Sequence, residues 1–543
     1  MNRRGSTSAS TWRDPGGGRI RGRAGSRPGG GRRPAAAAGD RRSVHDVLAY
    51  GAKGDGTTDD TAAFQAALTA ARAVPEGATL LIPPGRYPLT KGLVLGPRMT
   101  VSAYGAHVLR TKDCGALVKN FDSVTPVSAY DGAGDIALLG GTWDMRGSTY
   151  QQQSDAIGFA HADGILVQDC TVLDTPSAHA VELNAVRRAR IVNCLFDGLH
   201  VTGQGTDTAT NREAVQITGA LSAVSLPAPA YDNTPCQDIL ISGCTLRAAA
   251  DGSRPFGALV GDHGGAKGVV HRDIRVIGNH IERSAAYGIR TTDWQQAVIA
   301  GNTIESVGVT AVQVGSPAGN ALNDITITGN IIRNTGSDTS TGGAIVVSSG
   351  GDRHNGITIT DNTIRTVKGE AGIYVAQSDG VTISGNTVAG TACPGGNSQG
   401  IHVRYAPHAV ISGNTVTDAQ GDGIGVDTDA QGALIAHNTV LNPAGHGIAA
   451  GTDDIALRDN HVTGANRAGA TATYGIRFGG NAANASCQGN VVRKGDGPVP
   501  AEAAVVALPG CVGAWITGND LRGWGGAAIL DKAAGTLTSA NAM

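Results

Sequence analysis

Three carboxylates, two imidazoles and a guanidinium gather in one part of the chain: Glu182, Glu213, Asp262, His179, His263 and Arg290. Each lies in or beside a short run of alternating aliphatic and polar residues, such as Glu213-Ala-Val-Gln-Ile217. Alternation of this kind marks a strand with one buried face. With Val181, Val215 and Ile289 inward, Glu182, Asn184, Gln216 and Arg290 point outward. His179, Glu213 and Tyr287 then stand at the corner where each strand begins. Asp262 and His263 end a further strand between glycines, where the bland reading is a turn. Asp293 and Trp294 form the rim of the patch.

These residue types suit carbohydrate chemistry. Hydrolysis of a glycosidic bond takes two carboxyl groups, about 5–5.5 Å apart for retention and about 6.5–9.5 Å for inversion. Strands stacked about 4.8 Å apart offer both spacings, from adjacent or alternate layers. The expected catalytic pair is Glu213 and Asp262, with Glu182 as substitute and His263 beside them. His179, Asn184, Gln216, Arg290, Asp293 and Trp294 would position substrate, the indole offering a stacking face to a sugar ring. A lyase or epimerase acting on a uronate polymer would need a base and a partner for the uronate carboxylate; His179, His263, Tyr287 and Arg290 have that chemistry. The third reading is a non-catalytic carbohydrate-binding surface, with Glu182 and Arg290 as a solvated ladder. Aromatic residues are only 4% of the chain, which favours the enzyme readings.

The elements that must hold these groups are repetitive. From Gly257 to Asn519 one pattern recurs: Gly-Ile-x-Val, a gap, then Ile-x-Ile-x-x-Asn-x-Ile, as in Ala371-Gly-Ile-Tyr-Val followed by Val381-Thr-Ile-Ser-Gly-Asn386. The Asn column runs through Asn279, Asn302, Asn330, Asn362, Asn386, Asn414, Asn438, Asn460, Asn490 and Asn519, at intervals of 22 to 32 residues. Cys170, Cys194 and Cys244 hold the same slot earlier. A period in this range, built from short alternating strands, predicts a solenoid: an all-β, single-stranded parallel β-helix with Ile and Val inside and an amide ladder at one turn.

The start of the repeat reads Tyr50-Gly-Ala-Lys-Gly-Asp-Gly-Thr-Thr-Asp-Asp-Thr-Ala-Ala-Phe-Gln-Ala-Ala-Leu68, followed by Pro83-Pro-Gly-Arg-Tyr87. These segments resemble the N-terminal signature of the pectate-lyase/polygalacturonase-like right-handed parallel β-helix superfamily. The resemblance implies a right-handed helix opened by a strand, a turn and a capping helix. The residues agree: Asp59 or Asp60 serves as a cap, and Ala63, Phe64, Ala67, Leu68 and Ala71 form one apolar face. The superfamily's ordered hydrolase set (Asn-Thr-Asp, Asp-Asp, Gly-His-Gly, Arg-x-Lys) is not matched; Gly261-Asp-His-Gly264 echoes its third member.

Composition sets the remaining bounds. Residues 1–42 carry 11 Arg and 2 Asp, a net charge of +9, and read as a disordered Arg/Gly-rich arm. The remainder has 32 basic and 43 acidic residues, a net of −11, which argues against a nucleic-acid partner. No apolar run reaches membrane-spanning length. The basic start and Ala35–Ala38 resemble the ends of a secretory signal without its apolar middle, and secretion is the expectation. The expected organisation is the arm (1–42), a β-helix domain (43–520) and a C-terminal cap or tail (521–543); trimers occur among similar β-helix proteins, but nothing in this sequence demands a homo-oligomer. The eight cysteines include no CxxC pair; no metal ligand set and no cofactor are expected, and Cys393, Cys487 and Cys511 are candidates for pairing.

Overall fold

In the computed structural model, residues 43–201, 211–222, 226–247, 253–262, 264–337, 342–393, 398–496 and 502–543 are described. The expected arm of residues 1–42 and the candidate His263 lie outside the described residues. Alternating residues form short strands, and turns between them send the chain round a closed coil. One coil comprises Asp163–Gln168, Thr171–Pro176 and Val181–Asn184; the next comprises Arg187–Val192, Leu195–His200 and Glu213–Thr218. Each strand pairs in parallel with its counterpart one coil away, so the chain builds three all-parallel sheets of 19, 16 and 15 strands. This is the expected parallel β-helix.

Register is kept for the length of the solenoid. Val181, Val215, Val260, Ile289, Val312, Ile345, Ile373 and Ile401 lie opposite one another in succession, all buried. The glycine of Gly-Ile-x-Val has a steric cause. A Cβ on Gly372 would lie 2.3 Å from Val388 Cγ1 and 2.7 Å from the Gly400 carbonyl; on Gly400 it would lie 2.2 Å from Val416 Cγ1 and 2.5 Å from the Gly423 carbonyl. Backbone and core come too close at this corner for any side chain.

The Asn column forms the expected ladder. Asn279 Nδ2 donates to Asn302 Oδ1 at 2.9 Å, Asn302 to Asn330 at 2.9 Å, and so on to Asn519, which donates to Asn541 Oδ1 at 3.0 Å. Each ladder Oδ1 also accepts the backbone N–H of the preceding Asn, as Asn330 Oδ1 does from Asn302. Cys170, Cys194 and Cys244 are buried where the ladder gives out. All eight cysteines are free, so Cys393, Cys487 and Cys511 form no disulfide.

The first coil is closed by a helix, α1 (Thr61–Arg72), whose Ala63, Phe64, Ala67, Leu68 and Ala71 are buried against Ala78–Leu81 and neighbouring strands. Asp59 Oδ1 accepts from Thr61 N at 3.0 Å and caps the helix. Asp60 instead turns back to accept from Lys53 N and Gly54 N. Asp55 accepts from Thr57 N and Thr58 N, so all three carboxylates shape the turn. At the other end, coil pairing continues past residue 520: Ala527–Asp531 pairs with Ala503–Ala507, and Leu537–Ser539 with Trp515–Thr517.

Candidate functional site

Strand register assembles the site. Val181–Asn184 pairs with Ile157–Ala160 on one side and Glu213–Thr218 on the other. Asp155, His179 and Glu213 each stand two residues before the aligned Ile157, Val181 and Val215, so they form one column at the strand-start corner. The adjoining outward column runs Lys119, Gly158, Glu182, Gln216, Gly261, Arg290 and Gln313.

His179 is the hub. Asp155 Oδ1 accepts from both the backbone N–H and the Nδ1 of His179, each at 3.0 Å. Glu182 Oε2 lies 3.6 Å from the same Nδ1, and Glu213 Oε2 lies 3.5 Å from Nε2 on the other side of the ring. Asp155, His179, Glu182 and Glu213 are all buried, Glu182 being 1% exposed. Among the described residues, Glu182 Oε1 has no hydrogen-bond partner.

Burial and neighbouring charge set the proton affinities. Burial first, and then the Asp155 carboxylate, push Glu182 up to about 8. Burial alone would lower His179, but its bonds to Asp155, Glu182 and Glu213 outweigh this and hold it well above the ordinary imidazole value.

Asp155, His179, Glu182 and Gln216 face a cavity of about 580 Å³, walled by Lys119, Phe121, Arg212 and Leu226. Between Lys119 and Glu182 the outward column holds Gly158, over which the Leu226 and Phe121 side chains pack. Lys119 lies over the Phe121 ring at 5.0 Å, and burial lowers its proton affinity.

The sequence candidates separate into three groups. Glu182, His179 and Gln216 line the cavity. Glu213 and Asp262 do not form a catalytic pair. Ala258 lies opposite Glu213, and Asp262 follows four residues later, about 13 Å further along the strand. Glu213 is buried beside His179. Asp262 is buried and accepts from Gln216 Nε2 and Gly264 N, with His271 Nε2 4.0 Å away. Asn184 is buried at the end of its strand, and its carbonyl accepts from His161 N.

Arg290 belongs to a second, smaller cavity of about 200 Å³ with Thr292, Gln313 and Ser348. Its guanidinium stacks 4.8 Å from the Tyr287 ring and approaches Glu213 to 4.0 Å. Asp293 is buried, accepting from Ser316 Oγ and from Asn320 Nδ2 at 2.9 Å, and burial raises its proton affinity. Trp294 offers no sugar platform. Asp293 adopts φ of 56°, the chain turns into the next sheet, and Trp294 pairs with His271 inside the core, fully buried.

Asp155 was not among the sequence candidates. Its signal was present: Asp155 precedes Ile157 by the two residues that separate His179 from Val181 and Glu213 from Val215. Its coil lacks the Gly-Ile-x-Val motif, so the column position was masked.

The fold is a parallel β-helix, and its opening residues are similar to those of pectate-lyase-like β-helix proteins. A family model for a right-handed β-helix region matches residues 344–521, and one for rhamnogalacturonase A/epimerase, pectate lyase-like, matches residues 44–106. The plasmin and fibronectin-binding protein A of Streptococcus pneumoniae is 24% identical over 284 residues, covering 48% of this chain and 39% of that protein. The crystal structure of PfbA, a surface adhesin of Streptococcus pneumoniae, has a TM-score of 0.59 at 20% identity, covering 75% of this chain and 93% of that one. A family 28 exopolygalacturonase of Yersinia enterocolitica is more distant, with a TM-score of 0.38 at 11% identity over 77% of this chain and 76% of that one. No helix of the described residues is long and apolar enough to cross a membrane.

Proposed function

We propose that this chain is a carbohydrate-active enzyme that hydrolyses a glycosidic bond at the cavity of Asp155, His179 and Glu182. The observation that carries the reading is the pair of buried carboxyl groups from adjacent coils facing one cavity, with an imidazole fixing both. Glu182, buried with an open oxygen, delivers a proton to the leaving group. Asp155 is the second carboxyl group. One oxygen of each lies within 4.8 Å of the other, closer to the spacing of a retaining pair than to that of an inverting one. Gln216 and Lys119 hold the sugar from either side. An extracellular setting is part of the proposal, supported by the likeness to a surface adhesin.

The test is a polysaccharide panel read for reducing ends and for the ultraviolet absorbance of an unsaturated uronate. New reducing ends without that absorbance, reduced on the order of 10²-fold or more in Glu182→Gln and in Asp155→Asn, support hydrolysis. Retained anomeric configuration in the first product supports the assigned pairing. Ultraviolet-absorbing product moves the reaction to elimination.

The second reading is a binding protein without catalysis. It is favoured by the similarity to a protein named for binding plasmin and fibronectin. Neither enzymatic signal, with saturable binding to a glycan, plasmin or fibronectin, supports that reading instead.

A further inference from the structure

We infer that Asp155, His179 and Glu182 form a binding site for a divalent first-row transition metal of the zinc class. Three donor atoms, one from each residue, lie within 4.8 Å of one another. His179 Nδ1 is 3.0 Å from Asp155 Oδ1 and 3.6 Å from Glu182 Oε2. Ligands about 2.0–2.2 Å from a tetrahedral zinc stand about 3.4 Å from each other, so these separations bracket the edge of such a shell. One imidazole with two carboxylates suits zinc or cobalt(II); calcium and magnesium prefer all-oxygen shells with more ligands.

Three further observations point to an ion. Glu182 Oε1 is buried, has no hydrogen-bond partner among the described residues and belongs to a cavity-lining residue. Glu213 faces the other ring nitrogen of His179 at 3.5 Å, the arrangement in which a carboxylate orients a metal-bound histidine through its second nitrogen. All three ligand residues line the same cavity, from which solvent or a small ligand would supply a fourth donor.

A bound metal displaces the Glu182 proton and takes the Asp155 lone pair that hydrolysis would use, so the metal form should not cleave. That inhibitory role rests on the proposed hydrolysis; binding itself does not.

The experiment is a titration of the chelator-treated full chain with cobalt(II), followed by visible d–d absorption, and with zinc by calorimetry. The expected result is one site per chain, with calcium failing to displace cobalt. His179→Ala should abolish the absorption, and Glu213→Gln should weaken binding about 10–100-fold. His402→Ala, at the separate His402–Asp427 pair, should leave it unchanged. Circular dichroism of each variant confirms the fold. Absence of the band in the wild type, equal binding by His179→Ala, or a thiolate charge-transfer band overturns the assignment. A chain that binds metal but cleaves nothing in its metal-free form overturns the hydrolase reading and leaves the site intact.

Discussion

At the scale of single residues, burial decides which groups carry protons. His271 shows the effect away from the cavity. It is fully enclosed, and its Nδ1 accepts from Cys236 N at 2.9 Å, which places the proton of the neutral ring on Nε2. Burial lowers its pKa to about 4 from 6.5; Asp262, at 4.0 Å, lies too far for a hydrogen bond that would offset it. The depressed value means that the unfolded chain binds the proton more tightly. Stability is therefore complete above pH 6.5 and falls as pH drops through 4. The loss approaches about 3 kcal/mol. Urea midpoints for wild type and His271→Gln, compared at pH 7 and pH 4.5, should converge on the acid side; an unchanged slope would refute the assignment. Residue chemistry was partly legible: His179 and Glu182 follow from column position. Asp262 did not, because its role depends on Gln216 and His271 from neighbouring coils.

At the scale of elements, the amide ladder and the glycine corner are the devices that repeat. Asn386 Nδ2 donates to Asn414 Oδ1 and to the Ile359 carbonyl, while its own Oδ1 accepts from Asn362 N and Nδ2. Asn386→Ala leaves several buried partners unsatisfied and should cost about 2–3 kcal/mol. Asn541→Ala, at the half-exposed end of the ladder, should cost under about 1 kcal/mol. Equal losses in chemical denaturation would contradict the ladder's energetic role. Gly400→Ala forces a methyl group against Val416 and the Gly423 carbonyl. It should cost about 1–3 kcal/mol and lower the thermal midpoint. Both devices were visible as sequence columns. The reason for the glycine was not, since the atoms it avoids belong to the next coil.

At the scale of the molecule, a solenoid needs its open end sealed. α1 does this with Phe64, which is fully buried and meets Tyr87 edge-on at 5.3 Å. Phe64→Ala should cost about 3–5 kcal/mol and expose the first coil, read as a lower unfolding midpoint and as larger species in size-exclusion chromatography. Periodicity alone determined the parallel β-helix, because a strand that buries every second residue and recurs at a fixed interval has few other ways to stack. The signature at Tyr50–Leu68 likewise announced the capping helix. What tertiary structure decided was the grouping of side chains across coils. Register put Asp155 beside His179, moved Asp262 about 13 Å along the strand from Glu213, and gave Arg290 to another cavity. The turn at Asp293 carried Trp294 into the core. Loop lengths vary from coil to coil while strands stay in step, so distance along the chain does not report distance between coils. Only the folded register does.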